Sequence, residues 1–187
     1  MKKIIGILLS MIMVISLISC SSGKSESGKL ATKADDLSIE PGKTKLQDLI
    51  DNGFTYEWSD TTKPLEQIDG KKFISLSIHI MKEKEQYATV GLINTTSGKL
   101  KLEQCIVGDT LIYSHYQGKH QFSEITIKGE NFVGLKLEDI KAKFTDKITH
   151  EDEKDIVFND GKNAFDFQFD DQKVLESVTL DINEHNM

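Results

Sequence analysis

Residues 165–182, FDFQFDDQKVLESVTLDI, decide the fold. Their large apolar residues alternate with polar ones on both sides of a polar turn at 171–173: first Phe165, Phe167 and Phe169, then Val178, Leu180 and Ile182. A period of two indicates a strand with one buried face. The stretch therefore predicts an antiparallel hairpin that packs on a core.

Further patterned segments lie on both sides of a polar stretch in the middle of the chain. Alternation or apolar runs predict strands at 74–81, 87–94, 100–107, 111–113, 125–128 and 156–158. Apolar residues at helical spacing predict short helices at 45–51, where Thr44 and Gln47 are spaced as a capping box, and from residue 137 to 144. We expect an α+β fold of two halves, 37–113 and 123–187, joined by a connector at 114–122. In each half a helix precedes an antiparallel meander, and the sheet packs against short helices.

The two predicted helices begin alike. Each follows a glycine, Gly42 or Gly134, and then a Leu-x-Asp sequence, and the five residues 45–49 align with 136–140. This order of elements over residues 37–182 resembles the tandem-repeat architecture of the beta-lactamase-inhibitor-protein-like families, which include envelope lipoproteins of the SmpA/OmlA type. Those families bind other proteins, usually through an exposed sheet face, so the resemblance implies a protein-binding role. It assigns no functional residue of the family to a position in this chain.

The N-terminus reads as an export signal. Lys2 and Lys3 precede an apolar run at 4–18, which as a helix would span roughly 22 Å and fall short of a ~30 Å hydrocarbon core. Residues 17–20, Leu-Ile-Ser-Cys, resemble a bacterial lipobox. The resemblance implies a signal peptide at 1–19, lipidation of the Cys20 sulfur and a mature chain that starts there; the alternative is an ordinary secretory signal with an incidental Cys20. Residues 20–36 are predicted to be a flexible tether.

Composition limits the partners. The 187 residues include 30 acidic residues, and all 23 basic residues are Lys. Loss of Lys2 and Lys3 with the signal changes the formal net charge from −7 to −9. An acidic body repels phosphate backbones and anionic lipid, so we expect no nucleic-acid partner and membrane binding through the lipid on Cys20. A lipidated Cys20 would leave Cys105 as the only thiol, which excludes an intrachain disulfide.

Three groups of residues carry possible chemistry. His115, Tyr116 and His120 suggest a metal, but a zinc site needs a third ligand, and a polar connector is the better interpretation. The acidic run 150–155, with Asp166, Asp170 and Asp171, lacks the spacing and the glycine of a calcium loop and indicates solvated charge. Ser75, Ser77 and His79 share one strand face without an orienting carboxylate, which indicates an exposed polar sheet face.

Two further features are interpreted as structural. Cys105 lies among aliphatic residues and is predicted to be a small packed side chain. The Gly91 to Lys99 stretch fails the spacing of a phosphate loop and is predicted to be a hairpin.

These observations predict a lipid-anchored protein of the cell envelope, facing outside the cytoplasm, with a non-enzymatic protein-binding or assembly role. No catalytic residue, cofactor or metal is expected, and the expected partners are the membrane, through Cys20, and another envelope protein. Two alternatives stay open: a carrier with a pocket for a small ligand or ion, and an envelope enzyme of unrecognised type.

Overall fold

The computed structural model describes residues 32–60, 64–115, 118–161 and 163–182. The elements in chain order are β1 (Thr32–Ala34), β2 (Leu37–Ile39), α1 (Leu46–Asp51), β3 (Thr55–Trp58), β4 (Gln67–Ile68), β5 (Lys72–Lys82), β6 (Glu85–Asn94), β7 (Leu100–Lys101), β8 (Ile106–Tyr113), β9 (Ile125–Ile127), β10 (Glu130–Asn131), α2 (Leu137–Phe144), β11 (Ile148–Glu151), β12 (Asp155–Asp160), β13 (Asn163–Phe169) and β14 (Leu175–Ile182). Single 3₁₀ turns lie at Leu102–Gln104 and Thr145–Lys147.

Eight strands form one antiparallel sheet, the main sheet, in the order β11-β12-β13-β14-β8-β6-β5-β3. The predicted hairpin at 165–182 is confirmed as β13 and β14, with Phe165 opposite Leu180. β14 also pairs with β8, where Leu180 lies opposite Thr110. This central pairing joins strands from distant parts of the chain into a continuous sheet.

The predicted α+β class with two helix-then-meander halves is wrong. The described part of the chain is rich in β-structure, with fourteen strands against helices of only 6 and 8 residues. Strands from both predicted halves share the main sheet, and a four-stranded sheet, β10-β9-β1-β2, also joins residues from both. Alternation along a strand reports which face is buried but not which strand lies beside it. The alternation therefore identified individual strands but could not predict which of them pair in one sheet.

The core lies between the main sheet and the elements that cover one of its faces. Phe144 of α2 stacks on Phe158 with ring centroids 4.0 Å apart, and Phe132 stacks on Phe167 at 5.4 Å. Leu46 and Leu49 of α1 are buried in the same cluster, as are Ile125 and Ile127 of the four-stranded sheet, which we call the small sheet. Both helices and the small sheet thus contribute to one core.

Both helices begin with a main-chain contact to a neighbouring segment. The Leu46 N–H donates to the Cys105 carbonyl at 3.1 Å, and the Leu137 N–H donates to the Lys173 carbonyl at 3.0 Å. The Lys45 N–H donates to the Asp48 carboxylate at 2.8 Å, so the cap lies one residue after the predicted Thr44. Thr44 instead accepts a hydrogen bond from the Glu40 N–H.

Several expectations fall at or beyond the limits of the described residues. The predicted signal peptide 1–19, Cys20 and most of the predicted tether lie outside them. Residues 32–34 of that tether form β1, which pairs with β9. The predicted strand at 100–107 is interrupted by the 3₁₀ turn at Leu102–Gln104. Within the described ranges, neither helix has the length and apolar character needed to cross a bilayer.

Candidate functional site

The second face of the main sheet, which we call the open face, carries a row of side chains across all eight strands. Register partners place these residues side by side: His150, Val157, Asp166, Thr179, Leu111, Thr89, His79 and Glu57. All of them except Thr89 are partly or fully exposed. The row shows that a wide surface on this side of the sheet is accessible.

Apolar side chains are embedded among the polar ones on the open face. Leu111, Tyr113 and Val157 are partly exposed there, and Tyr113 lies opposite Ser177. The Lys119 ammonium lies 5.8 Å from the centre of the Tyr113 ring. Aromatic and aliphatic side chains within a polar surround are the usual composition of a protein interface.

Ser75, Ser77 and His79 do not form a nucleophile and base. The Ser75 hydroxyl donates to the Asp109 carboxylate at 2.5 Å, and the Ser77 hydroxyl donates to the Ser75 carbonyl at 2.5 Å. His79 instead places Nδ1 3.2 Å from the Thr89 hydroxyl. Burial and the nearby Lys119 charge lower the pKa of His79. These contacts agree with a structural interpretation of the polar strand.

Asp109 is a buried carboxylate that sequence reasoning missed. It is 4% exposed and accepts hydrogen bonds from Ser75 and from the Leu76 N–H, beside an irregularity in β5. Burial raises the pKa of Asp109 even though its hydrogen bonds act in the opposite direction. A Cβ at Gly91 would lie 2.1 Å from the Asp109 Oδ1 atom, so glycine is required there. A glycine within an apolar strand was the signal of this close approach.

An acidic cleft of about 480 Å³ lies at one end of β12, β13 and β14. Its lining residues are Asp152, Lys154, Asp155, Gln168, Phe169, Asp170, Asp171 and Glu176. Lys154 forms an ion pair with Asp171. Asp170 accepts the Val174 N–H at 2.9 Å, and this bond, with others, lowers its pKa despite partial burial. The cleft contains much of the acidic group that sequence analysis interpreted as solvated charge.

Asp155 and Asp166 form a carboxyl pair beside this cleft. Burial and, to a smaller extent, the neighbouring Asp155 carboxyl raise the pKa of Asp166 to about 6. The Oδ1 atoms of both residues are buried and meet no hydrogen-bond donor within the described ranges. A proton held by one of the two carboxyl groups would remove the repulsion between their charges.

The structure separates the two histidines of the predicted connector. His115 Nε2 lies 3.2 Å from Asp170, whereas His120 lies between Asp35 and Glu85. Tyr116 lies outside the described residues. No group of three or more metal-ligating side chains occurs in the part of the chain that the structure describes. Sequence reasoning missed Asp35 and Glu85 because both are distant from His120 along the chain.

The contacts of Cys105 and of the Gly91 to Lys99 stretch are those of structural residues. Cys105 is fully buried, its Sγ lies 3.4 Å from the Lys101 carbonyl, and burial together with Glu103 raises its thiol pKa to about 11. A thiol with such a pKa is almost entirely protonated at neutral pH and therefore a poor nucleophile. The Asn94 amide donates to the Gly98 carbonyl at 2.7 Å and holds the turn after β6.

Comparisons of the chain with protein families, with curated proteins and with solved structures found no match. The described residues offer a broad surface of mixed polarity on the open face and an acidic cleft at one end of it.

Proposed function

We propose that this protein is a non-enzymatic binding protein of the cell envelope, held to the membrane by lipid on Cys20, and that it binds another protein through the open face. The lipobox-like residues 17–20 support the anchor, because acyl chains at the N-terminus attach an acidic body without a basic patch. The anchor would leave the open face free to meet a partner outside the cytoplasm.

The observation that carries the binding role is the continuous row across the main sheet. A partner that covered the open face would bury Leu111 and Tyr113 of β8 near its centre and leave the exposed His150 and Glu57 of the two edge strands at its rim. This order of apolar centre and polar rim is typical of stable protein interfaces. A sheet of eight strands also has enough width for an interface of ordinary size.

Affinity capture tests the binding role with one variant on the open face and one on the small sheet. The tagged full chain is expressed in its own cell and cross-linked, and the proteins captured by wild type, Leu111→Arg and Ser38→Arg are compared. We expect Leu111→Arg to lose a protein that Ser38→Arg retains, because Ser38 is exposed on the small sheet, away from the open face. Capture that is equal for both variants, or recovery of small molecules alone, would contradict the proposal.

The acidic cleft favours a second candidate, a carrier of a small cationic ligand. Its volume suits a small molecule, and its carboxylates outnumber the single Lys154. Titration with a diamine and with Ca²⁺ tests this role by NMR. Saturable shifts of the Gln168 and Phe169 amides would support a carrier, and unchanged spectra at millimolar ligand would exclude it for these two probes.

A further inference from the structure

His120 lies where three segments distant in sequence meet. It belongs to residues 118–124, which lead from β8 to β9, and its ring faces Asp35 in the β1–β2 turn and Glu85 at the start of β6. Its backbone N–H also donates to the Gln86 carbonyl at 3.0 Å. The ring therefore connects the small sheet, the connecting segment and the main sheet.

Both ring nitrogens of His120 face a carboxylate. Nδ1 lies 2.7 Å from the Glu85 Oε2 atom, and Nε2 lies 3.1 Å from the Asp35 Oδ2 atom. A neutral imidazole has one N–H and one lone pair, so it can donate to only one of two carboxylates. The other nitrogen would hold its lone pair against carboxylate oxygens. Both contacts are favourable together only when the ring is a doubly protonated imidazolium.

Two aromatic rings contact the His120 ring. Tyr87 stacks on the His120 ring with centroids 3.9 Å apart, and Phe122 meets it edge-on at 4.8 Å. An aromatic face favours a cation in contact with it. The other charged groups near this stack are Lys119, whose ammonium bonds the Gln86 side chain, and the residues that act on Tyr87: Asp36, Lys82 and Glu83.

The two carboxylates are held with different strength. Asp35 also accepts hydrogen bonds from the Ser123 hydroxyl at 2.6 Å and from the Glu124 N–H at 3.1 Å. Glu85 has a side chain that is 58% exposed, and within the described ranges His120 is its only bonded partner. Loss of the ring charge would therefore release Glu85 before Asp35.

We propose that Asp35, His120 and Glu85 form a pH-sensitive clasp that fastens the small sheet and the connecting segment to the β5–β6 hairpin. The clasp is closed while His120 is protonated, and it opens on the Glu85 side when His120 loses its proton. This device is independent of the binding role proposed for the open face.

The direction of the pH dependence follows from both partners. Burial lowers the pKa of His120, but the hydrogen bonds to Glu85 and Asp35 outweigh burial and raise it above 6.5. For Asp35 the two effects have the opposite signs. Burial raises its pKa, but hydrogen bonds from Ser123, His120 and Glu124 outweigh burial and lower the pKa below 3.8. The His120 contribution is complete below 6.5 and is lost as pH rises through its raised pKa. The Asp35 contribution is lost as pH falls through its lowered pKa.

NMR titration of the histidine ring nitrogens in the full chain, kept in detergent, tests the clasp. We expect the His120 midpoint to lie above 6.5 and to fall by about one pH unit in Glu85→Gln, because an opposite charge within 4–6 Å favours the protonated ring. Glu83→Gln, in the same hairpin turn, should leave the midpoint unchanged. A His120 midpoint at or below 6.5, or one that Glu85→Gln does not move, would overturn the proposal.

A double-mutant cycle with His120→Gln and Glu85→Gln measures the closing of the clasp. Coupling in the unfolding equilibrium constant should be about fivefold at pH 6 and absent at pH 9. Equal coupling at both values, or none at pH 6, would contradict a clasp that responds to pH. If His120→Gln does not fold, the titration of wild type, Glu85→Gln and Glu83→Gln decides the question alone.

Discussion

Three aspartates of the β8 and β12–β14 region show how local contacts determine the chemistry of one side chain. Asp170 accepts main-chain N–H groups, which lower its pKa, whereas burial raises the pKa of Asp109. Asp166 is the most altered of the three, with a pKa of about 6, because it is partly buried beside Asp155. At neutral pH the ionised form of Asp166 is therefore disfavoured by the folded state.

Asp166→Asn should stabilise the protein at pH 8 and have little effect at pH 4. The pKa of Asp166 is raised on folding, so its contribution to stability is lost as pH rises through about 6. Asparagine resembles the neutral carboxyl and cannot ionise. We expect a gain of about 1 kcal/mol at pH 8 after allowance for solvent screening.

Urea unfolding at the two pH values checks this effect. Asp69→Asn is the control, because Asp69 is exposed and paired only with the exposed Lys99 in the described part of the chain. A loss of stability in Asp166→Asn at pH 8, or an equal gain at both pH values, would contradict the assignment of the raised pKa.

Cys105 should be unreactive in the folded protein. Its thiol is buried, and its pKa of about 11 leaves little thiolate at pH 8. In the Cys20→Ala variant, where Cys105 is the only thiol, we expect labelling to be at least about a hundredfold slower in buffer than in denaturant. Equal rates in the two conditions would mean that the thiol is accessible in the folded protein, which would contradict its burial.

At the scale of elements, the contact between β5, β6 and β8 depends on Gly91. A Cβ there would lie 2.1 Å from the Asp109 carboxylate and 2.5 Å from the Ile74 carbonyl. Because one of these atoms belongs to the backbone of β5, the methyl group cannot be accommodated by a side-chain rotation. The close approach of three strands thus requires the absence of a side chain at one position.

Gly91→Ala should destabilise the fold by about 2–3 kcal/mol, as expected for overpacking in a core. Gly98→Ala is the matched control, because a Cβ at Gly98 would meet no atom within 4 Å. Chemical denaturation of both variants measures the difference. Similar unfolding free energies for the two variants would show that β6 and β8 do not approach as described.

The sequence predicted strongly patterned elements and missed weakly patterned ones. Alternation identified β13 and β14, and helical spacing identified α1 and α2. Strands such as β1 and β10 have only 3 and 2 residues, too few to establish a period of two. The class was wrong because the helices are short and the strands of both parts pair into one sheet, which is a long-range property.

At the scale of the whole molecule, sequence spacing found the polar strand but not the partners of its residues. Ser75 and His79 were identified as members of an exposed polar face; the structure places His79 on the open face, whereas Ser75 lies in the irregular part of β5, where it is exposed and bonds Asp109. The contact between His120 and Asp35 joins residues 85 positions apart, so no local pattern could indicate it. A site whose residues are distant in sequence can be predicted only once the strand topology is known.

Cys20→Ala should release the protein from the membrane into the soluble exported fraction. Two or more acyl chains, at about 0.8 kcal/mol for each buried methylene, would hold the wild-type chain stably, and the substitution removes their attachment point. Ser22→Ala, two residues away, should stay with the membrane. Fractionation with detection of a C-terminal tag checks the outcome, and a Cys20→Ala protein that remains in the membrane would argue against the lipid anchor.

The most direct test of the binding role is photocrosslinking from the open face in the intact cell. A photoreactive residue at position 111 should yield a discrete adduct with another envelope protein, because Leu111 lies near the middle of the row across the main sheet. The same residue at position 38, on the small sheet, should yield none. Absence of an adduct from position 111, or equal adducts from both positions, would contradict a binding surface on the open face.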